Sequence, residues 1–425
     1  MLERCSTAFH RVRGAVSQLL SQVSLLPPTH LGRSGAAPKV AQHHVRREHA
    51  LAPGCSLQVV SQRPLVLVAH GFLGADDCAS IVSVAMNQRI GGAGGANKDP
   101  KVRHGDRIRL PPFPLVHQHA GMPTGATDAI RGMDGDDSAL LESVYGRIDA
   151  LCGAPRWDGE SSPPKVHFYG GCSGGDLPLP HTRAGERMPL GLHVDVNASP
   201  FRFATAILYL STLPQPCGDG ATVFPCAADV ASRSGSQDGC GSGGGNGDCT
   251  ALAQSNAARK AGATLLARNV VHTDMVLAHR SGGVQPREGE GGVGDRDTGS
   301  TQAHAAALVR AASQRGCAKK GTEGAGGGGL SVYPEAGKLV LFFTCDSDGD
   351  VDPCSWHGGA AVGDVTGSAP AATDSEGRGA DNGKWMLQIF KDVPPGARGR
   401  VAKARFVSAS RKQALSFTTG AKCSV

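Results

Sequence analysis

The chain is 425 residues long, room for one large domain with decoration or for two, yet 60 glycines and an aromatic share of 4% leave part of that length unable to build a core. Its net charge of +6 is mild and its basic residues lie partly in the tails, so no nucleic-acid partner is expected. No apolar run reaches the roughly 20 residues of a membrane-spanning helix, and thirteen cysteines without a C-x-x-C resemble neither a zinc ribbon nor a dense disulfide framework.

The N-terminus reads in two ways. Arg4, Arg11 and Arg13 accompany Val12, Val16, Leu19, Leu20, Val23 and Leu26 at helical spacing, and Glu3 is the only acid before Glu48. That suits an organellar (mitochondrial-type) transit peptide better than a secretory signal, and a disordered tail on an otherwise cytoplasmic protein equally well. Residues 1–60 are therefore expected as an extension. Pro64 to Val68 then reads as a first strand, and Asp76 to Met86 as a helix with Asp76 as its cap. Residues 91–138, rich in Gly, Asp and Pro, read mostly as loop. Ser138 to Leu151 is the clearest helix, with Leu140, Val144, Ile148 and Leu151 on one face and Gly153 to end it. Lys165 to Tyr169 is a short strand, followed by a polar stretch, Gly170 to Pro189.

The most informative stretch runs from Gly191 to Pro225. His193 and Asp195 are two apart, and in a strand residues i and i+2 point to one face. An imidazole and a carboxylate would converge there. The bare pair means little, since chance alone supplies about one His-x-acid in a chain of this composition. Two others occur, His104/Asp106 in the loop region and His272/Asp274 further on. Only His193 is followed by Arg202-Phe203-Ala204-Thr205, an apolar strand ending in Tyr209-Leu210, and then Gly218, Gly220, Thr222, Phe224 and Pro225.

From 227 to 329 the composition turns largely low-complexity, with GSGGGNGDC, GEGGVGD and GAGGGG unable to bury enough apolar surface to offset chain entropy. Within it Thr250 to Met275 carries apolar positions suited to a helix or a strand pair. Lys338 to Phe343 is a buried-type strand, Ser355-Trp356-His357-Gly358-Gly359 follows an acidic loop, and Gly383 to Phe390 opens with Gly-Lys-Trp as the last strand. After Asp392 no acid remains, and residues 396–425 are expected as a basic tail. The cysteines are expected as free thiols; Cys217 with Cys226, or Cys345 with Cys354, would pair only in an oxidising compartment.

His-x-Asp, Arg-x-Ala-Thr, an apolar strand to Tyr-Leu, a Gly-rich turn with Thr and Pro, then Pro-x-x-Gly, a strand, Ser-x-His and Gly-Lys-Trp resembles the 2-oxoglutarate and Fe(II)-dependent dioxygenases. Within them it resembles the prolyl 4-hydroxylase catalytic domain. The resemblance implies a mainly β fold, a double-stranded β-helix (jelly-roll) core with flanking N-terminal helices and long low-complexity insertions, spanning 61–395. It implies His193, Asp195 and His357 as ligands of Fe(II), Lys384 as partner of the distal carboxylate of 2-oxoglutarate, and Tyr169 and Thr222 beside that co-substrate. Two imidazoles and one carboxylate on one face of an octahedral ion leave three positions, two for the 2-oxo acid and one for O2. The implied activity is hydroxylation of an unactivated C–H, most simply on a peptidyl substrate, with release of succinate and CO2 and with ascorbate keeping the iron reduced. A 2-oxoglutarate oxygenase for a lysyl or small-molecule substrate, and a non-catalytic jelly-roll binding module, are the alternatives. The sequence leaves the oligomeric state open.

Overall fold

The computed structural model describes residues 51, 55–91, 107–110, 135–154, 163–170, 189–197, 199–213, 220–227, 246–273, 298–313, 329–360, 362 and 383–419. The chain folds as two antiparallel sheets with helices on their outer sides. Eleven strands are described: β1 (Ser56–Gln62), β2 (Leu65–His70), β3 (Arg107–Arg109), β4 (Lys165–Gly170), β5 (Pro189–His193), β6 (Arg202–Tyr209), β7 (Thr222–Phe224), β8 (Leu330–Val332), β9 (Leu339–Phe343), β10 (His357–Ala360) and β11 (Gly383–Asp392). The larger sheet has the order β1-β2-β9-β6-β11-β4-β3, the smaller β5-β10-β7-β8.

Burial on both faces explains the long apolar runs of the central strands. All eight residues of β6 and all ten of β11 are buried. Along β11 the pleat sends Trp385, Leu387 and Ile389 outward and Met386 inward, so two cores form. The inner one joins Val68, Ile207, Tyr209, Val340 and Phe342 of the larger sheet to Phe224 and Val332 of the smaller, which sets the two sheets face to face.

The outer core is roofed by α1 (Ala75–Gly91), α2 (Gly135–Cys152) and α5 (Arg400–Thr419). On α2 the expected stripe is correct: Val144, Ile148 and Leu151 are buried and Leu140 packs at the margin. Each such aliphatic side chain contributes about 1.5–3 kcal/mol when fully buried. Helix α5 corrects the expectation of a basic tail. Val407 and Ala414 enter the core, Ser410 donates its hydroxyl to the Cys152 carbonyl, and Arg411 reaches the Cys345 carbonyl at 2.9 Å, while Arg400, Arg405 and Lys412 are exposed. Strand β1 similarly begins inside the stretch expected as an extension, pairing with β2.

In the segment 227–329 a helix covers most of the stretch from Thr250 expected as a helix or a strand pair, and a second helix stands where only low-complexity chain is expected. The segment thus contributes α3 (Asn246–Ala267) and α4 (Thr298–Ser313), whose Ala258, Ala261, Leu265, Ala305 and Leu308 pack on the outer side of the smaller sheet. Cys345 and Cys354 remain thiols. Among the described residues no helix is long and apolar enough to cross a membrane. Residues 1–50, and with them the transit-peptide reading, lie outside the described residues.

Candidate metal centre

Strand β5 ends at His193, and Asp195 opens a short 3-10 turn, Asp195–Asn197. The i, i+2 spacing still brings the two side chains together: His193 Nε2 lies 3.3 Å from Asp195 Oδ1. His357 is the first residue of β10 and sits in register opposite His193, with its Nε2 3.5 Å from Asp195 Oδ2. One ligand atom from each of the three residues falls within 4.8 Å of the others.

Both imidazoles are oriented in the same way. His193 Nδ1 meets the Gly191 carbonyl at 2.5 Å, and His357 Nδ1 meets the Ser355 carbonyl at 2.9 Å. A carbonyl oxygen only accepts, so both Nδ1 atoms carry a proton and both Nε2 atoms face the cluster. His357 Nε2 is buried without a hydrogen-bond partner. An orphaned polar atom of that kind costs stability unless something binds it, and a metal ion would. Burial pushes the His357 imidazole down to about 4, against the attraction of Asp195, so it is neutral at neutral pH. Burial pushes Asp195 up, but the His357 and His193 imidazoles and the Thr205 hydroxyl outweigh it and hold the carboxyl well below the usual range. A neutral imidazole at His357 and an ionised carboxylate at Asp195 are the protonation states that a divalent ion requires of those ligands.

The Arg-x-Ala-Thr strand supplies what fixes Asp195. Thr205 Oγ1 donates to its Oδ2 and Arg202 Nη1 to its main-chain carbonyl, each at 2.6 Å. Arg202 in turn lies 3.5 Å over the Phe390 ring and 4.0 Å from Asp392. These supporting roles of Arg202 and Thr205 were not read from the sequence, although both residues stand in the motif.

Lys384 is 3% exposed on β11, opposite Tyr169 of β4. Its ammonium stands 5.2 Å from the Tyr209 ring and 5.7 Å from the Tyr169 ring. Among the described residues no carboxylate lies within ion-pair distance of it, and burial alone pushes it down to about 7. Gly220, in the left-handed region at φ +69°, packs closely beside it: a Cβ there would stand 2.6 Å from Leu213 Cδ1 and 3.3 Å from Lys384 Cδ. Thr222 Oγ1 is 2.6 Å from the Tyr209 hydroxyl, which also donates to the Val332 carbonyl at 3.1 Å. Thr222 therefore spends its proton on Tyr209 and presents only acceptor capacity. Tyr209, not singled out from the sequence beyond its place at a strand end, joins Thr222 to the Lys384 side. Tyr169 has its hydroxyl 3.4 Å from His167 Nδ1.

The rival pairs fare differently. His104/Asp106 and Asp274 lie outside the described residues. His272 bridges to His193 in antiparallel register with ring centroids 5.7 Å apart, beside the three-residue cluster and not in it. No protein-family model matches the chain, and no curated protein matches it significantly.

Proposed function

We propose that the chain is an Fe(II)- and 2-oxoglutarate-dependent dioxygenase of the prolyl 4-hydroxylase type, hydroxylating an unactivated C–H of a peptidyl substrate with release of succinate and CO2. The observation that carries the reading is Lys384, a buried lysine for which the described residues offer no carboxylate partner, lodged in the same sheet-lined interior as a His-Asp-His cluster. A buried charge is retained only where something compensates it, and an anionic co-substrate would. The strand order supports a jelly-roll. From β4 onward successive strands alternate between the sheets except at the β7 to β8 step, giving β9-β6-β11-β4 in one and β5-β10-β7-β8 in the other.

His193, Asp195 and His357 would hold the iron, which when bound supplies the activation of O2 coupled to oxidation of the 2-oxo acid. With one carboxylate and two neutral imidazoles, a divalent ion keeps a net positive charge that favours an anionic ligand. Lys384 binds the far carboxylate as a charge-assisted hydrogen-bond donor, and the apolar walls from Tyr209 and Tyr169 limit screening by water. Arg202 and Thr205 keep Asp195 fixed, so that little reorganisation is needed when the site is loaded. Ascorbate, by the family resemblance, keeps the iron reduced between turnovers. The intact set of His193, Asp195, His357 and Lys384 argues against a non-catalytic module that has lost turnover.

The test is incubation of the full chain with Fe(II), 2-oxoglutarate, ascorbate and proline-containing peptides. Succinate release matched by a peptide mass gain of one oxygen supports the proposal. No succinate above a metal-free control, over a broad peptide set, contradicts it.

A further inference from the structure

Both strands that carry imidazoles are held from behind by the segment between β7 and β8, the stretch that composition marks as low-complexity. Around His193 the main chain does the holding. Val194 N–H donates to the Val271 carbonyl and Thr273 N–H to the Leu192 carbonyl, both at 2.9 Å, so a strap of residues 271–273 runs antiparallel along β5. Thr273, 1% exposed, adds its hydroxyl to the same Leu192 carbonyl at 3.1 Å. β5 is otherwise the edge of its sheet, and the strap satisfies main-chain groups that flank His193 on that side.

Around His357 the contact is a side chain on a helix. Trp356, fully buried, donates its indole Nε1–H to the Gly262 carbonyl of α3 at 3.3 Å. A Cβ on Gly262 would come within 2.8 Å of Trp356 Cδ1 and 3.0 Å of the Pro353 carbonyl oxygen. Glycine inside a helix costs about 1 kcal/mol relative to alanine, and the close approach accounts for its presence here. The same helix is anchored on β7's end, where Cys226 Sγ–H reaches the Ala258 carbonyl at 3.3 Å and Arg259 Nε donates to the Cys226 carbonyl at 2.9 Å.

We infer that this insertion is a positioning element of the metal centre: Thr273 fixes His193, the Gly262–Trp356 contact fixes His357, and metal affinity is set by residues that stand outside the His-Asp-His cluster. The inference rests on the metal reading of the His-Asp-His cluster, but not on iron or 2-oxoglutarate. By reciprocity, a metal that favours the fixed imidazoles also stabilises the strap.

The test uses the full chain with Mn(II) alone as the probe, followed by calorimetric titration and by amide hydrogen exchange. Thr273→Pro removes both donors to Leu192, Thr273→Ser keeps both, and Gly262→Leu drives α3 off Trp356. The Pro and Leu variants should bind Mn(II) at least tenfold more weakly, the Ser variant should stay within about twofold of wild type, and Mn(II) should slow exchange of the amides from 265 to 273. His272→Ala, which leaves the strap's main chain in place, should retain affinity. If Thr273→Pro loses cooperative unfolding, Thr273→Val and the exchange measurement carry the test. A folded Thr273→Pro or Thr273→Val with wild-type affinity, together with exchange indifferent to Mn(II), overturns the inference. A wild type that binds no metal overturns the metal reading itself.

Discussion

His193 and His357 face each other across β5 and β10 with ring centroids 4.5 Å apart, and the carboxylate of Asp195 lies between their Nε2 atoms. Three donors from two neighbouring strands and one turn thus converge before any ion arrives. Removing one leaves two of the three donors that the structure brings together. His357→Ala or Asp195→Ala should weaken Fe(II) binding at least a hundredfold in anaerobic calorimetry, a larger loss than the 10–100-fold typical of supporting residues. His272→Ala should keep wild-type affinity, and iron loss confined to that variant would transfer the site to the other imidazole.

Lys384 gives the account its pH dependence. Its folded value of about 7 lies below the ordinary 10.5, so between those limits the unfolded chain binds more protons and folding stability rises with pH. The destabilisation is complete below about 7 and relieved toward 10.5. Lys384→Met, similar in shape without the charge, should therefore raise Tm at pH 6, with the advantage over wild type shrinking as pH rises. Binding of 2-oxoglutarate should show the opposite sign. It needs the ammonium, so affinity should fall about tenfold per pH unit above the free group's titration, and the Met variant should lose about 10–100-fold affinity with iron retained. A pH-independent affinity in wild type would remove Lys384 from the co-substrate site.

The hydroxyl of Thr205 is the side-chain donor to Asp195 Oδ2. Thr205→Val conserves shape and removes that bond, leaving a buried carboxylate oxygen less satisfied. A cost of about 1–3 kcal/mol in denaturant unfolding is expected, with metal affinity down about tenfold. Thr205→Ser should restore both. Unchanged metal affinity in the Val variant would reduce Thr205 to a core hydroxyl.

Helix α5 can be tested by its burial. Truncation after Gly399 would uncover the outer core around Val407 and Ala414 and remove the bonds of Ser410 and Arg411. The truncated chain should unfold several kcal/mol more easily or fail to fold, which urea denaturation would measure. A truncated chain as stable as the full one would return the segment to the status of a tail.

What the sequence disclosed follows from where side chains carry the signal. β6, β9 and β11 are buried on both faces and read as continuous apolar runs, and α2 reads from its 3.6-residue stripe. His193, Asp195 and His357 were legible because chemistry and order coincide in them. Helix α3 was legible only as one of two options and α4 not at all, because they pack largely through alanines whose small area gives little contrast against a Gly- and Ala-rich background. α5 was masked by its charge, since only Val407, Ser410 and Ala414 are deeply buried in a helix that also carries Arg400, Lys403, Arg405, Arg411 and Lys412. The strap at 271–273 binds by main chain, which leaves no trace in residue type; likewise, the place of His272 opposite His193 is a matter of register.

The most direct measurement is an anaerobic titration of the Fe(II)-loaded protein with 2-oxoglutarate, following the visible charge-transfer absorption of a 2-oxo acid chelated to Fe(II). A saturable band at one equivalent, absent in His357→Ala and shifted to higher 2-oxoglutarate concentration in Lys384→Met, is the expected result. A wild-type protein that takes up Fe(II) but gives no band at any 2-oxoglutarate concentration would contradict the account.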